Sequence, residues 1–389
     1  MREYWIWLAA RKGMGNKQKL ELAARFSDIN AMWQAETYEG LTPSAQTSFR
    51  DKDLTEARRI CAQCDRLGIF VLTADDPQYP NRLRSIADPP LVLYGKGSLP
   101  DFDREAAVAV VGTRRASAYG LMAAERMGGE LASCGGLVVS GMAAGIDAQA
   151  AWGALRAGRP TVAVLGGGVD VIYPASNRSL YESILQRGCI LSEYPPGSAP
   201  TKWTFPKRNR IVSGLSCAVL AVEAPENSGT MITARLALEQ GRDLFVVPGH
   251  IASAFCAGSN ALLRDGAAIA TCGWDILGEY QGQFPDKLHK AQHKASWELP
   301  APKPMAAPKP AMPKPVAPPT KAEPPKNDLL TGVTDEEQKL LQPLLSGDKT
   351  VDDLIALSGL ETKKVLALLT MLELKGIVQR HPGKRISLK

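Results

Sequence analysis

The hydrophobic pattern changes period twice along the chain. Over residues 1–68 apolar positions recur at helical spacing: Leu20, Ala23 and Ala24 within Leu20–Phe26, Ile60 and Cys64 within Glu56–Leu67. This part is expected to be a small helical domain. From Ile69 the pattern becomes short continuous apolar runs bounded by turns. Ile69–Thr73, Leu91–Tyr94, Ala107–Val111, Leu137–Ser140, Thr161–Leu165, Ile190–Glu193, Ala218–Glu223 and Leu244–Val247 read as strands. Helical spacing returns between them, with Ala124, Met127 and Leu131 marking a helix over Tyr119–Cys134. Further helices are predicted from Ala148, around Ser179–Gln186 and around Ile232–Gln240. Apolar strands alternating with helices predict an α/β core over 69–281, its parallel sheet covered on both faces.

Residues 282–330 differ in kind. Eleven of the 28 prolines lie between Pro300 and Pro325, mixed with Ala and Lys. A segment so poor in large apolar residues buries no core and is expected to be a semi-rigid tether. Over 331–389 order is expected again. Thr334-Asp335-Glu336-Glu337 is a capping box for a helix carrying Leu340, Leu341 and Leu344. Val351–Leu357 and Lys363–Leu374 follow as helices, and Gly376–Leu388 reads as a hairpin turning at Pro382-Gly383. Three helices and a basic hairpin describe a winged helix. It would bind DNA through Lys363 and Lys364 on its second turn-motif helix and Arg380, Lys384 and Arg385 on the wing. The mostly apolar helix leaves protein contact as an equal alternative.

The net charge of +6 is misleading as a nucleic-acid signal. Gly282–Lys326 holds eight lysines against three acids, so the rest of the chain is nearly neutral and only local clusters count. No apolar run approaches the roughly 20 residues that span a bilayer, and Tyr4–Ala10 lacks the features of a signal peptide. Seven scattered cysteines argue against a disulfide framework and for a cytoplasmic protein. Cys61 and Cys64 form a lone CxxC without a second ligand pair, and the four histidines are dispersed. No metal or other cofactor is expected.

Glycines cluster just after strands, at the edge where open α/β sheets bind ligands. Gly166-Gly167-Gly168 lacks the GxGxxG spacing and the distant acid of a dinucleotide site. Ser140–Asp147 (SGMAAGID) suits either an anion site or tight helix–sheet packing. Gly13-Met14-Gly15 suits either phosphate contact, as in helix-hairpin-helix modules, or a plain helix connection. Within Lys202–Ser216 (KWTFPKRNRIVSGLS), Lys202, Lys207, Arg208 and Arg210 surround Trp203 and Phe205, and no acid occurs between Glu193 and Glu223. Cations for phosphates beside rings for bases compose a groove for single-stranded nucleic acid. Core aromatics under a solvated basic face are the other reading of the same residues.

Seven motifs in order then carry a resemblance that covers essentially the whole chain. They are VVGTRRASAYG (110–120), SGMAAGID (140–147), LGGGVDVIYPASN (165–177), LSEYPP (191–196), FPKRNRIVSGLS (205–216), VEAPENSGTMITA (222–234) and VVPG (246–249). The sequence resembles the DNA-processing protein A family, also called DprA or Smf. The resemblance implies an extended Rossmann core between a SAM-like or helix-hairpin-helix-like N-terminal domain and a C-terminal winged helix. It implies a protein that protects incoming single-stranded DNA in natural transformation and helps load the RecA recombinase onto strands coated by single-strand-binding protein. It also implies a homodimer through the Rossmann domain, which would double a short groove.

Residue by residue, the resemblance makes Arg114 a pocket arginine, Lys202 a phosphate contact and Phe205 a base-stacking ring. Arg208, Asn209 and Arg210 belong to the same wall, and Lys207 and Arg210 are expected at phosphates. Ser228, Gly229 and Thr230 approach the DNA backbone. Arg178 substitutes for a lysine that the family often carries where Ala175 and Ser176 stand. A nucleotide-processing hydrolase of N-glycosidic bonds is the main alternative, but Met231, Ile232 and Thr233 follow SGT where such an enzyme needs a carboxylate. No P-loop is present. Glu193 and Glu223 are expected to cap helices and pair with the arginine cluster. A transcription regulator reading duplex DNA through the winged helix is the third reading; the expected class is a binding protein, not an enzyme.

Overall fold

The computed structural model describes residues 1–291, 334–345, 347–375, 377–381 and 385–388. The chain divides into two units, Met1–Glu298 and Leu299–Lys389. The first opens with five helices: α1 (Arg2–Ala10), α2 (Asn16–Ala23), α3 (Ile29–Gln34), α4 (Pro43–Arg50) and α5 (Thr55–Leu67). Their ends obey local chemistry. Asp28 caps α3 by accepting from the Ala31 N–H at 2.8 Å, Thr42 caps α4 ahead of Pro43, and Gly68 closes α5 at a φ of 62°. Trp7, Leu8, Met32 and Phe49 are buried among these helices, and the same apolar cluster continues into residues of the sheet. The N-terminal helices therefore share one core with the sheet.

The glycines of the first turn serve packing. A side chain at Gly13 would place its Cβ 2.9 Å from the Ala45 nitrogen, at a φ of 81°. The Gly15 N–H donates to Gln18 Oε1 at 3.1 Å and the Lys12 N–H to Ser48 Oγ at 2.9 Å. These donors are thus committed within the helices instead of being presented to phosphate. On α5, burial raises both thiols, that of Cys64 to about 11, so neither is a thiolate at neutral pH.

Nine strands build one sheet: β1 (Phe70–Thr73), β2 (Val92–Gly97), β3 (Ala107–Val111), β4 (Leu137–Ser140), β5 (Thr161–Leu165), β6 (Cys189–Ser192), β7 (Ala218–Ala221), β8 (Asp243–Val246) and β9 (Ala268–Ile269). Their order is β1-β2-β6-β5-β4-β3-β7-β8-β9. Every residue of β3, β4, β5, β6 and β7 is buried, as strands covered on both faces require. The expectation of a parallel sheet needs one correction, because β2 pairs antiparallel with both β1 and β6. Between and after the strands lie α6 (Asn81–Arg84), α7 (Ala118–Ser133), α8 (Ile146–Arg156), α9 (Arg178–Arg187), α10 (Thr204–Gly214), α11 (Gly229–Glu239), α12 (Ala257–Arg264) and α13 (Gly273–Leu277). The tether does not begin at 282. Phe284 and Leu288, one helical turn apart, are buried against the second face of the sheet. Most of the Pro-rich stretch, including Pro300–Pro325, lies outside the described residues.

In the second unit Thr334 and Glu337 form the capping box of α14 (Asp335–Leu344). Then come β10 (Lys349–Thr350), α15 (Val351–Ser358), α16 (Thr362–Leu374), β11 (Val378–His381) and β12 (Arg385–Leu388), the strands paired antiparallel in the order β10-β12-β11. Leu340, Leu341, Leu354, Val365, Leu369 and Ile386 fill the core of this winged helix. The expected turn at Pro382-Gly383 lies outside the described residues.

One lysine is buried where α2 meets the end of α1. Lys19 donates to the Ala9 carbonyl at 3.0 Å, and burial, reinforced by the Arg11 charge, lowers its ammonium to about 8. A lysine whose folded value is depressed opposes folding while charged. Between about 8 and its ordinary 10.5 the unfolded chain keeps the proton and the native state has lost it, so stability rises with pH there. Lys19→Met is therefore expected to stabilise the protein below pH 8, with the gain shrinking as pH climbs toward 10.5; urea midpoints across that range measure it.

Candidate nucleic-acid interface

At β3 the sheet order reverses: β4, β5 and β6 extend on one side, β7, β8 and β9 on the other. The crevice beyond the carboxyl ends at such a point is where open α/β sheets place ligands. A cleft of about 740 Å³ opens there, lined by the turn after β3, the starts of α8, α10 and α11, and Tyr173 and Phe255. The turns after β3 and β7 are tied together by Glu223. Its carboxylate accepts the Ser117 N–H at 2.9 Å and the Ser117 hydroxyl at 2.5 Å, holding the residue that caps α7, while its carbonyl accepts the Thr113 N–H. Glu223 pairs with no arginine among the described residues, since this cap uses both its oxygens.

The turn so held aims Arg114 into the cleft, with its guanidinium carbon 4.7 Å from the centroid of the Phe205 ring. Phe205 is half-buried, and the ring of Tyr173 lies 5.5 Å from it at 35°. The triglycine after β5 makes room for this arrangement. A Cβ at Gly166 would come within 3.0 Å of the Phe205 ring, and one at Gly167 within 2.8 Å of the Ser198 carbonyl. These glycines admit protein, not a dinucleotide.

The floor is a buried charge system. Asp147, at the start of α8, accepts the Gly141 N–H at 2.9 Å and also bonds the Ala143 N–H. The SGMAAGID turn thus spends its Gly141 and Ala143 N–H groups on its own carboxylate, which favours packing over an anion site. Burial raises the Asp147 carboxyl and lowers the Arg208 guanidinium to about 10, each partly offset by the other's charge. Arg208 reaches the Val164 carbonyl through Nη1, while its buried Nε has no partner among the described residues. Opposite stands the start of α11. Ser228 is its N-cap, makes no side-chain capping bond, and leaves a buried hydroxyl without a partner among the described residues; no acid lies in the first turn. A helix start of this kind favours an anion.

Arg114, Arg115, Lys202 and Arg208 face the cleft against one acid, the buried Asp147. Of the residues expected from sequence, Arg114, Lys202, Phe205, Arg208, Asn209, Ser228, Gly229 and Thr230 line it. Arg178, at the start of α9, and Lys207, on α10, are exposed outside it. Arg210 is a correction. It is buried on the far side of α10, paired with Asp88 at 2.8 Å and Glu193 at 2.7 Å, and so committed to protein carboxylates. Glu193 also accepts from Asn16 of α2. Arg115, Tyr173, Asp147 and Phe255 join the site without having been expected. Arg115 and Tyr173 sit inside the quoted motifs, whereas nothing local marks Phe255. On the second unit Lys363 and Arg385 are exposed and Lys364 pairs with Glu336 at 2.5 Å. Lys384 and the side chain of Arg380 lie outside the described residues.

Comparison with known proteins now decides the family. The model of the DNA recombination-mediator protein A family matches residues 70–281, and that of the DprA winged helix domain matches residues 315–384. The chain belongs to the DNA recombination-mediator protein A family. Among curated members, Protein Smf of Synechocystis is 33% identical over 98% of this chain and 97% of its own. The DNA processing protein DprA of Bacillus subtilis is 37% identical over 64% and 88% respectively. The X-ray structure of DprA from Streptococcus pneumoniae superimposes with a TM-score of 0.64 at 33% identity, covering 72% of this chain and 98% of that one. The sheet and cleft belong to the part that the family model covers. Among the described residues no helix is long and apolar enough to cross a membrane, and no group of three or more His, Cys, Asp or Glu is placed to hold a metal.

The Arg210 network separates stability from binding. Removing the guanidinium leaves the mostly buried Glu193 without its cation while the half-exposed Asp88 stays solvated, so the cost falls below that of a fully buried pair, at about 1–3 kcal/mol. Arg210→Ala is expected to lower the urea midpoint accordingly.

Proposed function

We propose that this member of the DNA-processing family binds single-stranded DNA along the cleft as a binding protein, without turning over a substrate. Phosphates meet Arg114, Lys202 and the start of α11 at Ser228, Gly229 and Thr230, while a base stacks on the Phe205–Tyr173 pair. The observation that carries this reading is the Arg114 guanidinium 4.7 Å above a half-buried ring, in a cleft with four cations and one internally bonded acid. A glycosidic hydrolase needs a carboxylate free to act on its substrate, and the acid lining this cleft is engaged in holding backbone N–H groups. The protein so placed protects strands in the cytoplasm during transformation, acts as a homodimer, and helps load the recombinase onto strands carrying single-strand-binding protein.

For the second unit the surface favours protein contact over duplex DNA. Exposed positions of α16 include the apolar Leu366 and Met371 beside Lys363, with Lys364 already paired to Glu336. Full-length protein and a 1–291 truncation are expected to bind single strands alike, and only the former to retain partner contacts.

Filter binding tests the cleft. Single strands are expected to win over duplex with little sequence preference. Arg114→Ala should reduce the log–log salt slope by roughly 0.7 for the lost phosphate contact. Phe205→Ala should cost about 1–3 kcal/mol. Because the two groups touch, their double variant should lose less than the two single losses combined. Unchanged affinity and slope in Arg114→Ala refute the assignment.

A further inference from the structure

Two exposed residues of the basic segment find no place in the cleft. Trp203 is 70% exposed, more than any other aromatic side chain among the described residues, and Lys207 is exposed with it. One exposed apolar side chain needs no explanation by itself. The surroundings of this one do. Trp203 is the N-cap of α10 with helical backbone angles, so Phe205, two positions on, points elsewhere and reaches the cleft. Lys207, four positions on, shares the side of the helix that Trp203 occupies. Lys202 lines the cleft, yet its ammonium lies 5.0 Å from the centre of the indole ring. Lys202 thus stands between an aromatic surface inside the cleft and another outside it. No carboxylate intervenes in sequence from Tyr194 to Val222.

We propose that Trp203, flanked by Lys202 and Lys207, forms a second stacking platform outside the cleft for the nucleotides of a single strand that leave it. The proposal rests on the cleft reading above. An open indole between two cations is the chemistry that a splayed base and its phosphates recognise, and every base has a face to stack regardless of sequence. Continuity through Lys202 argues for nucleic acid as the occupant, because a strand held at that phosphate runs directly onto the ring.

The test uses full-length protein and labelled oligothymidines of about 6 and about 24 nucleotides, the first within the range of a single small groove. Trp203→Ala is expected to weaken the longer strand about tenfold and the shorter less than twofold, with Trp203→Phe restoring most of the loss. Lys207→Ala should lower the salt slope by roughly 0.7 on the longer strand alone. The indole is exposed, so folding should be unaffected, and thermal melts check this. An equal loss on both strands, or no loss on the longer one, overturns the platform. So does a change in sedimentation mass with strand affinity intact, which makes the indole a protein contact. Failure of the unaltered protein to bind the shorter strand overturns the cleft reading instead, and the loss on the longer strand still decides the role of Trp203.

Discussion

The burial of Arg208 beneath the carboxyl edge of the sheet is the constraint on which the site depends. A guanidinium sealed from water is costly unless its donors and charge are answered. Here the Val164 carbonyl takes one donor and Asp147 supplies the nearby charge. Asp147 in turn holds the turn after β4 by its N–H groups, with Met142 at a φ of 52° and Gly145 at 83°. A Cβ at Gly141 would overlap the guanidinium of Arg208 and displace it from its buried place. One buried cation thereby fixes α10 against β4, β5 and α8 at once. Lys202 and Phe205 inherit their positions from that anchor.

The other side of α10 is anchored as firmly. Arg210 spans Asp88 and Glu193, and Glu193 receives the amide of Asn16 from α2. The N-terminal helices consequently bear on the back of the helix whose front lines the cleft. The apolar cluster that α1–α5 share with the sheet comes from α1 packing on β1 and β2 and α5 packing on β1. The Arg210 linkage also gives α10 two rigid faces, leaving its amino-terminal turn as the part open to a ligand.

How far all this was legible in the sequence depends on distance along the chain. Runs such as Ala107–Val111, short, rich in valine and apolar at every position, point to covered strands, and every residue of β3 is indeed buried. Direction is not encoded in such a run, which is why the reversed β2 was missed. In Lys202–Ser216 the residue types announce cations and rings, but not which cation is committed to protein. Arg210 answers Asp88, 122 positions away, and Arg208 answers a carbonyl 44 positions away. Glycine-rich turns signal close approach without naming what approaches. After β5 it is Phe205 and residues 198–200; after β4 it is Arg208. Similarly, the polar composition from Gly282 hides Phe284 and Leu288, which join the core while the His289 N–H reaches the Cys134 carbonyl and Lys287 pairs with Glu105.

The cleft itself contains the contact that it would offer a base in the proposed reading. Arg114 covers one side of the Phe205 ring while Tyr173 stands close at a shallow tilt, 47% exposed. A flat ligand entering here meets a guanidinium and two rings that are already assembled. Little side-chain ordering then remains to be done on binding, and preorganised groups lose less freedom than mobile ones. The Arg114 charge stays in place, because a cation over a ring retains donors at its edge for phosphate. Net charge contributes almost nothing to this. In the proposed reading, recognition rests on local cations, Arg114 and Arg115 after β3 with Lys202 and Arg208 at α10, facing one carboxylate that the fold has already used.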